Sequence, residues 1–119
     1  MQPGAAAADA PLERDDRSPT WLLRELGDGF SLLWLEGPGG DAFAASLEAR
    51  DPNAPPLTLL RLGAGPGAFA DCAGLAAERY DLRPGSAVLL RPDRHVCARW
   101  RAPTAAAIDA AIARALAIH

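Results

Sequence analysis

The side chains in this sequence with obvious redox, acid–base or metal chemistry are Cys72, Cys97, His95 and His119. The two cysteines form neither a Cys-x-x-Cys pair nor a metal-ligand spacing, so they mark no disulfide framework and no zinc site. Cys97 lies in an alternating apolar run, where it reads as a small packing residue or, alternatively, a reactive thiol. Cys72 follows Asp71 near the start of a helical pattern, a setting that can lower a thiol pKa. His95 follows a turn signal, and no serine or acid is placed by sequence to complete a triad with it, so a structural hydrogen bond is expected ahead of proton transfer. The segment Gly63 to Gly67 (GAGPG) looks like a phosphate cradle. However, Ala68 stands where G-x-G-x-x-G needs its last glycine, and Pro66 removes an amide donor, so it reads as a plain loop.

Arginine is the other chemically useful type. Arg91, Arg94, Arg99 and Arg101 crowd around Asp93 and His95 in the stretch 87–101, AVLLRPDRHVCARWR. Planar guanidinium forks bind carboxylates in two-pronged fashion. Arg91, Asp93, Arg94, His95, Arg99 and Arg101 are therefore the candidate interface for a carboxylate-bearing domain or subunit. The alternative is plain surface solvation with Asp93 salt-bridged to one of the arginines.

A β-hairpin must position these residues. Ala87, Val88, Leu89 and Leu90 form a continuous apolar run, as in a strand buried on both faces. Pro92-Asp93-Arg94 is a turn signal, since proline presets φ and aspartate tolerates the next position. Val96, Ala98 and Trp100 then alternate with Cys97, Arg99 and Arg101, which predicts a half-buried second strand.

Upstream, residues 1–9 (MQPGAAAAD) have nothing to bury and read as a linker or disordered N-terminus, a cut made between domains. Residues 10–12 are a short extended piece, 13–17 a charged loop, and 20–26 (TWLLREL) one helical turn or two. Phe30–Leu35 (FSLLWL) and Leu57–Leu62 (LTLLRL) are strands. Residues 41–50 (DAFAASLEAR) are a helix with Asp41 as N-cap and Arg50 at its C-terminal end. Residues 71–80 form a short helix weakened by Gly74. A final helix follows Thr104 as N-cap, with Ile108, Ile112 and Leu116 on one face. The order β-α-β-α-β-β-α, a βαβ half followed by a ββα half, predicts a thioredoxin-like α/β fold: a four-stranded mixed sheet with helices on both faces. The junction after the first of these strands reads GPGGDAF, without the Cys-x-x-Cys of thioredoxins, and Ser86 stands where they place a proline before the third strand.

The chain has room for one domain, 10–119, whose core must lean on its aromatic residues, among them Trp21, Phe43, Tyr80 and Trp100, and on its leucines, isoleucines and valines, because much of its apolar content is alanine. A net charge of -3 gives no reason to expect nucleic acid or an anionic membrane. Neither a membrane span nor a signal peptide is legible, and a cytoplasmic location is expected.

Several stretches together resemble a known family. Asp9-Ala10-Pro11-Leu12, residues 26–33 (LGDGFSLL), Arg79-Tyr80-Asp81, Pro84-Gly85 and above all residues 89–100 (LLRPDRHVCARW) resemble the C-terminal domain of FAD-dependent aromatic-ring hydroxylases, closest to the 3-(3-hydroxyphenyl)propionate hydroxylase group and then the phenol hydroxylases. The resemblance runs from about Asp9 to the end of the chain. It implies a thioredoxin-like domain without redox cysteines, preceded in the parent enzyme by FAD-binding and substrate domains. The parent reaction it implies is hydroxylation of a phenolic compound, as in aromatic catabolism, using NAD(P)H, FAD and molecular oxygen. No dinucleotide fingerprint occurs here, so the chain is expected to bind no flavin itself and to act as a non-catalytic structural and interaction module. Its expected partner is the flavin-binding domain or subunit, or a second copy of itself in a homodimer. Where this sequence has Arg94, the family often shows a smaller or amide residue. Two other classes remain open: a free-standing thiol oxidoreductase using Cys72 or Cys97, and a small aromatic-acid-binding domain built around His95 and its arginines.

Overall fold

In the computed structural model, residues 3–38, 40–64 and 67–117 are described. The first element is a small antiparallel pair, β1 (Pro11–Glu13) and β2 (Pro19–Trp21), with Leu12 opposite Thr20 and both buried. Only Leu22–Glu25 (α1) is helical in the stretch expected to be a helix over 20–26. Thr20 stays extended because β1 pairs its backbone and its hydroxyl donates to Glu25 Oε2 at 2.9 Å. Trp21 is 48% exposed and so does not serve the core as its type suggests.

The main sheet grows from continuous apolar runs. Phe30–Leu35 (β3) is buried at five of its six positions. It runs parallel to Leu57–Leu62 (β4), in register from Phe30 opposite Leu57 to Leu35 opposite Leu62, across the helix Gly40–Glu48 (α2). Asp41 lies inside the first turn of α2 rather than capping it, and the position before Gly40 is outside the described residues. Arg50 lies beyond the helix end, where its Nη2 meets Asp109 Oδ1 at 2.6 Å.

The next helix is also shorter than its pattern suggests, spanning Leu75–Arg79 (α3). Gly74 takes φ 69° and resets the start, while the Asp71 carboxylate accepts the amides of Ala76 at 3.0 Å and Ala77 at 2.9 Å from outside the helix. Ala87–Leu90 (β5) then pairs antiparallel with β3 on one side and with Val96–Trp100 (β6) on the other. Ala105–Ala117 (α4) closes the fold, with the Thr104 hydroxyl accepting the Ala107 amide at 3.1 Å.

The resulting sheet is mixed, in order β4-β3-β5-β6, and is covered on both faces. On one face Leu33, Leu60, Leu62, Val88, Leu90 and Val96 pack with Leu12, Leu22, Ala76 and Tyr80. On the other, Phe30, Leu32, Trp34, Ala87 and Leu89 pack with Ile108, Ala111 and Ile112 of α4, and with the half-buried Phe43 and Leu47 of α2. Since α2 buries no residue fully and each buried isoleucine contributes ~1.5–3 kcal/mol, α4 is the helix that holds this face. Leu116, expected on the same stripe, is 49% exposed, while its neighbour Ala115 packs against this core.

Two expectations are corrected around β6. The register steps from Leu89 opposite Ala98 to Leu90 opposite Val96, so Cys97 is the extra residue of a β-bulge. Val96 therefore packs on one face while Ala98 and Trp100 pack on the other, instead of all three sharing a side. The segment read as a linker is also attached from Gly4 on. Gly4 N donates to Val96 O at 2.7 Å, Val96 N to Ala5 O at 2.8 Å and Ala7 N to Arg94 O at 2.7 Å. An edge strand offers unpaired backbone groups, and this alanine-rich segment satisfies part of that edge.

Candidate functional site

The hairpin turn closes with Arg94 N donating to Arg91 O at 2.9 Å and Arg91 N to His95 O at 2.8 Å. Pro92 and Asp93 take the central positions as their types dictate, and Arg94 follows with φ 64°. The Asp93 carboxylate accepts Arg91 Nε at 3.1 Å and Nη2 at 2.8 Å, and also the His95 amide at 3.2 Å. This pairing with Arg91 holds the Asp93 carboxyl below the usual carboxylate range and raises the Arg91 guanidinium. The Nδ1 of His95 lies 3.1 Å from Asp93 O, a local contact that orients the ring at the tip.

Arg99 and Arg101 lie at the other end of β6, five and seven residues beyond Arg94, or about 16 and about 23 Å at ~3.3 Å of strand rise per residue. Arg99 Nη2 donates to Asp81 O at 2.8 Å and lies 3.9 Å from Asp81 Oδ2. The structure thus divides the six candidate residues into a hairpin tip (Arg91, Asp93, Arg94, His95) and a sheet end (Arg99, Arg101). At the sheet end Arg99, Trp100 and Arg101 join Asp81, Arg83, Pro84 and Ser86 around an open groove of about 530 Å³. Sequence reasoning missed Arg83 and Trp100 as members of this group. The signal was available in the hairpin pairing, because Ala87 opposite Trp100 brings the residues before Ala87 alongside those around Trp100.

This same end of the sheet carries the C-termini of β3 and β4, on either side of which the chain order diverges, the place where open α/β sheets form crevices. Here it is closed tightly. Gly85 N donates to Leu35 O at 2.7 Å, and a Cβ on Gly37 would lie 2.5 Å from Gly85 N. Arg61 Nη2 lies 2.6 Å from Glu36 Oε1, and the Arg61 guanidinium stands 5.7 Å from the Trp34 ring centre. Neither Glu36 Oε1 nor Arg61 Nε makes an aligned hydrogen bond, so the contact is a charge pair stacked on an indole. The Trp34 and Phe43 rings meet at 5.1 Å and 60° beneath it.

The thiols do not converge on this end. Cys72 is exposed in the turn before α3, and both cysteines are free. Burial pushes the Cys97 thiol up, against the opposing pull of Arg91 and Arg114, so it is protonated at neutral pH. Among the described residues no three His, Cys, Asp or Glu side chains gather as metal ligands. Gly65 and Pro66 of the glycine-rich loop, and His119, lie outside the described residues. The Gly67 amide donates to Asp15 Oδ2 at 3.0 Å, so a carboxylate occupies an amide that a phosphate would need.

The residues that carry the sequence resemblance do structural work. Arg79 Nη1 donates to Asp9 O at 2.5 Å, the Tyr80 hydroxyl to Ala8 O at 2.6 Å, and Asp81 meets Arg99. Asp9 Oδ1 in turn accepts the amides of Ala10 and Leu23, both at 3.0 Å.

No protein-family model and no curated protein matches the chain by sequence. Among solved structures, 94% of the chain superposes on 19% of the flavin-dependent monooxygenase PieE, solved with FAD and substrate, at 33% identity and a TM-score of 0.73. A further match covers 92% of the chain and 20% of aklavinone-11 hydroxylase, solved with FAD and aklavinone, at 26% identity and a TM-score of 0.71. A peroxiredoxin-like protein from Aquifex aeolicus matches 96% of this chain and 87% of its own at 8% identity and a TM-score of 0.66, a likeness of fold alone. The chain is thioredoxin-like in fold, and over nearly its whole length it is similar to about one fifth of a flavin-dependent monooxygenase and of a hydroxylase, both solved with FAD.

Proposed function

We propose that this chain is a non-catalytic C-terminal domain of an FAD-dependent aromatic hydroxylase, packing on the flavin-binding domain or subunit. The observation that carries this reading is the match of 94% of the chain to 19% of a monooxygenase at 33% identity. The absence of cysteine from residues 36–43, and a Cys97 thiol pushed up by burial, argue against a free-standing thiol oxidoreductase. The exposed Trp21 and Leu116 offer apolar contact area to a partner. In this reading FAD, reduced by NAD(P)H, supplies the oxygen chemistry on a phenolic substrate from elsewhere in the parent enzyme, in the cytoplasm. The residues of this chain position and bury surfaces. Among the described residues no helix is long and apolar enough to cross a membrane.

The test has two arms. The purified chain is titrated with FAD while flavin fluorescence and NAD(P)H oxidation are followed with and without a phenolic acid, and no change is expected in either. It is then mixed with a related flavin monooxygenase truncated of the matching fifth, and co-elution on a sizing column is expected. Tight FAD binding or turnover by the chain alone, or failure to co-elute, overturns the reading.

A further inference from the structure

The sheet-end groove is a cationic concavity. Its lining combines Arg83, Arg99 and Arg101 with the single carboxylate of Asp81, in a chain whose net charge is -3. Arg99 is engaged with Asp81. Arg83 and Arg101 are exposed, and among the described residues their guanidinium groups make no ion pair or hydrogen bond within the chain. The groove continues past Pro84 and Arg101 into a second concavity of about 260 Å³, lined by Trp34, Pro38, Phe43 and Pro103 among others. A cationic half and an apolar half therefore share two wall residues, Pro84 and Arg101. Both halves open broadly to solvent, whereas a small-molecule site encloses most of its ligand. A polypeptide segment spans such a surface and a small acid does not.

We infer that this groove docks an acidic segment of the partner chain, with carboxylates on Arg83 and Arg101 and an adjacent apolar side chain over Pro84 and Phe43. Guanidinium forks left without partners favour carboxylates arriving in pairs, and charge complementarity of this kind sets register and speeds encounter. The inference rests on the reading of the chain as an interaction module, and it names where the contact lies and what chemistry recognises it.

The test is an amide NMR titration of the full chain with an acetylated, amidated peptide Asp-Glu-Asp-Leu-Glu-Asp-Glu, beside a lysine peptide of equal length and free benzoate. The acidic peptide is expected to shift the amides of Arg83, Ser86 and Arg101 and the indole N–H of Trp100, with affinity falling as salt rises. The double variant Arg83→Glu/Arg101→Glu is expected to weaken binding at least tenfold, and Arg83→Gln/Arg101→Gln provides the same readout without charge reversal should the first fold poorly. Arg94→Glu, at the far hairpin tip, is expected to bind as the parent chain does. Absence of binding, binding that survives loss of both arginines, or benzoate matching the peptide overturns the inference. Co-elution with the truncated monooxygenase alongside a silent peptide overturns the groove alone. Peptide binding without co-elution overturns the module reading and keeps the groove.

Discussion

Arg94 carries a cost that its neighbours explain. The turn set by Pro92 and Asp93 requires a left-handed residue next, and Arg94 supplies it at φ 64°. A side chain with a Cβ pays ~1 kcal/mol for that conformation, which glycine adopts freely. Arg94→Gly is therefore expected to stabilise the chain by up to ~0.5 kcal/mol, the relief of strain being reduced by glycine's greater freedom when unfolded. A higher urea midpoint at unchanged slope is the readout, and a lower midpoint would mean that the arginine side chain contributes contacts worth more than the strain. The turn itself was legible because proline and aspartate act through local geometry. The strain was not, since nothing in an arginine announces φ above zero.

Tyr80 gives a second test at this scale. Burial pushes its hydroxyl up to about 12, and the hydrogen bond it donates to Ala8 O is one that only the neutral phenol can make. A folded pKa above the ordinary value of about 10 means the neutral form is favoured in the fold, so this stability is complete below pH ~10 and is lost as pH rises to ~12. The loss should amount to ~2–3 kcal/mol across that window. Because Tyr80 is the sole tyrosine and the chain has no lysine, ultraviolet titration of tyrosinate reads it directly. Tyr80→Phe is expected to flatten the alkaline fall in stability and to cost ~1 kcal/mol at neutral pH by unpairing the Ala8 carbonyl. An unchanged alkaline limb in that variant would sink the assignment.

At the scale of elements, runs of uninterrupted apolar residues were read to the residue: β3, β4 and β5 each match the segment their composition marks out. Elements fixed by tertiary contacts were not. The pair β1 and β2 is three residues on each side and contains prolines, so it has no period to detect, and it exists because Leu12 and Thr20 bury together. The bulge at Cys97 hides inside what looks like plain alternation. The sheet end depends on a similar contact, the approach of Gly37 to Gly85. A methyl group on Gly37 would meet backbone at 2.5 Å and 2.8 Å, where no flexible side chain can yield. Gly37→Ala should cost ~1–3 kcal/mol as overpacking and displace the loop 84–86 that walls the groove. Gly67→Ser is no equivalent control, since Gly67 has φ 77°; Gly29→Ala, with its nearest contact at 3.4 Å, is the comparison. Equal stability of the Gly37 and Gly29 variants would show that the two loops separate at little cost.

For the molecule as a whole, the candidate arginines could be found by sequence but not grouped, because a five-residue strand separates the tip from the sheet end and only the β5–β6 pairing brings Arg83 to the latter. The same limit hid the role of the N-terminal segment. Its alanines show no pattern, yet its backbone is gripped at both ends of a path: Val96 and Arg94 pair with residues 4–7, while Tyr80 and Arg79 hold the carbonyls of Ala8 and Asp9. Each such bond contributes ~0.5–1.5 kcal/mol net, and ordering the segment offsets part of that at ~1–2 kcal/mol per residue. Deleting residues 1–8 is thus expected to lower stability by only ~1–3 kcal/mol while leaving the four-stranded sheet folded. The sharper signal is local. The Val96 amide, which donates to Ala5 O at 2.8 Å, loses its acceptor on deletion and should exchange with solvent at least tenfold faster, whereas the Leu35 amide, bonded to Ser86 O at 3.1 Å at the opposite end of the sheet, should keep its protection. If Val96 exchanges at the same rate in both chains, residues 4–7 are not an integral strand, and the segment is a linker resting on an edge that does not depend on it.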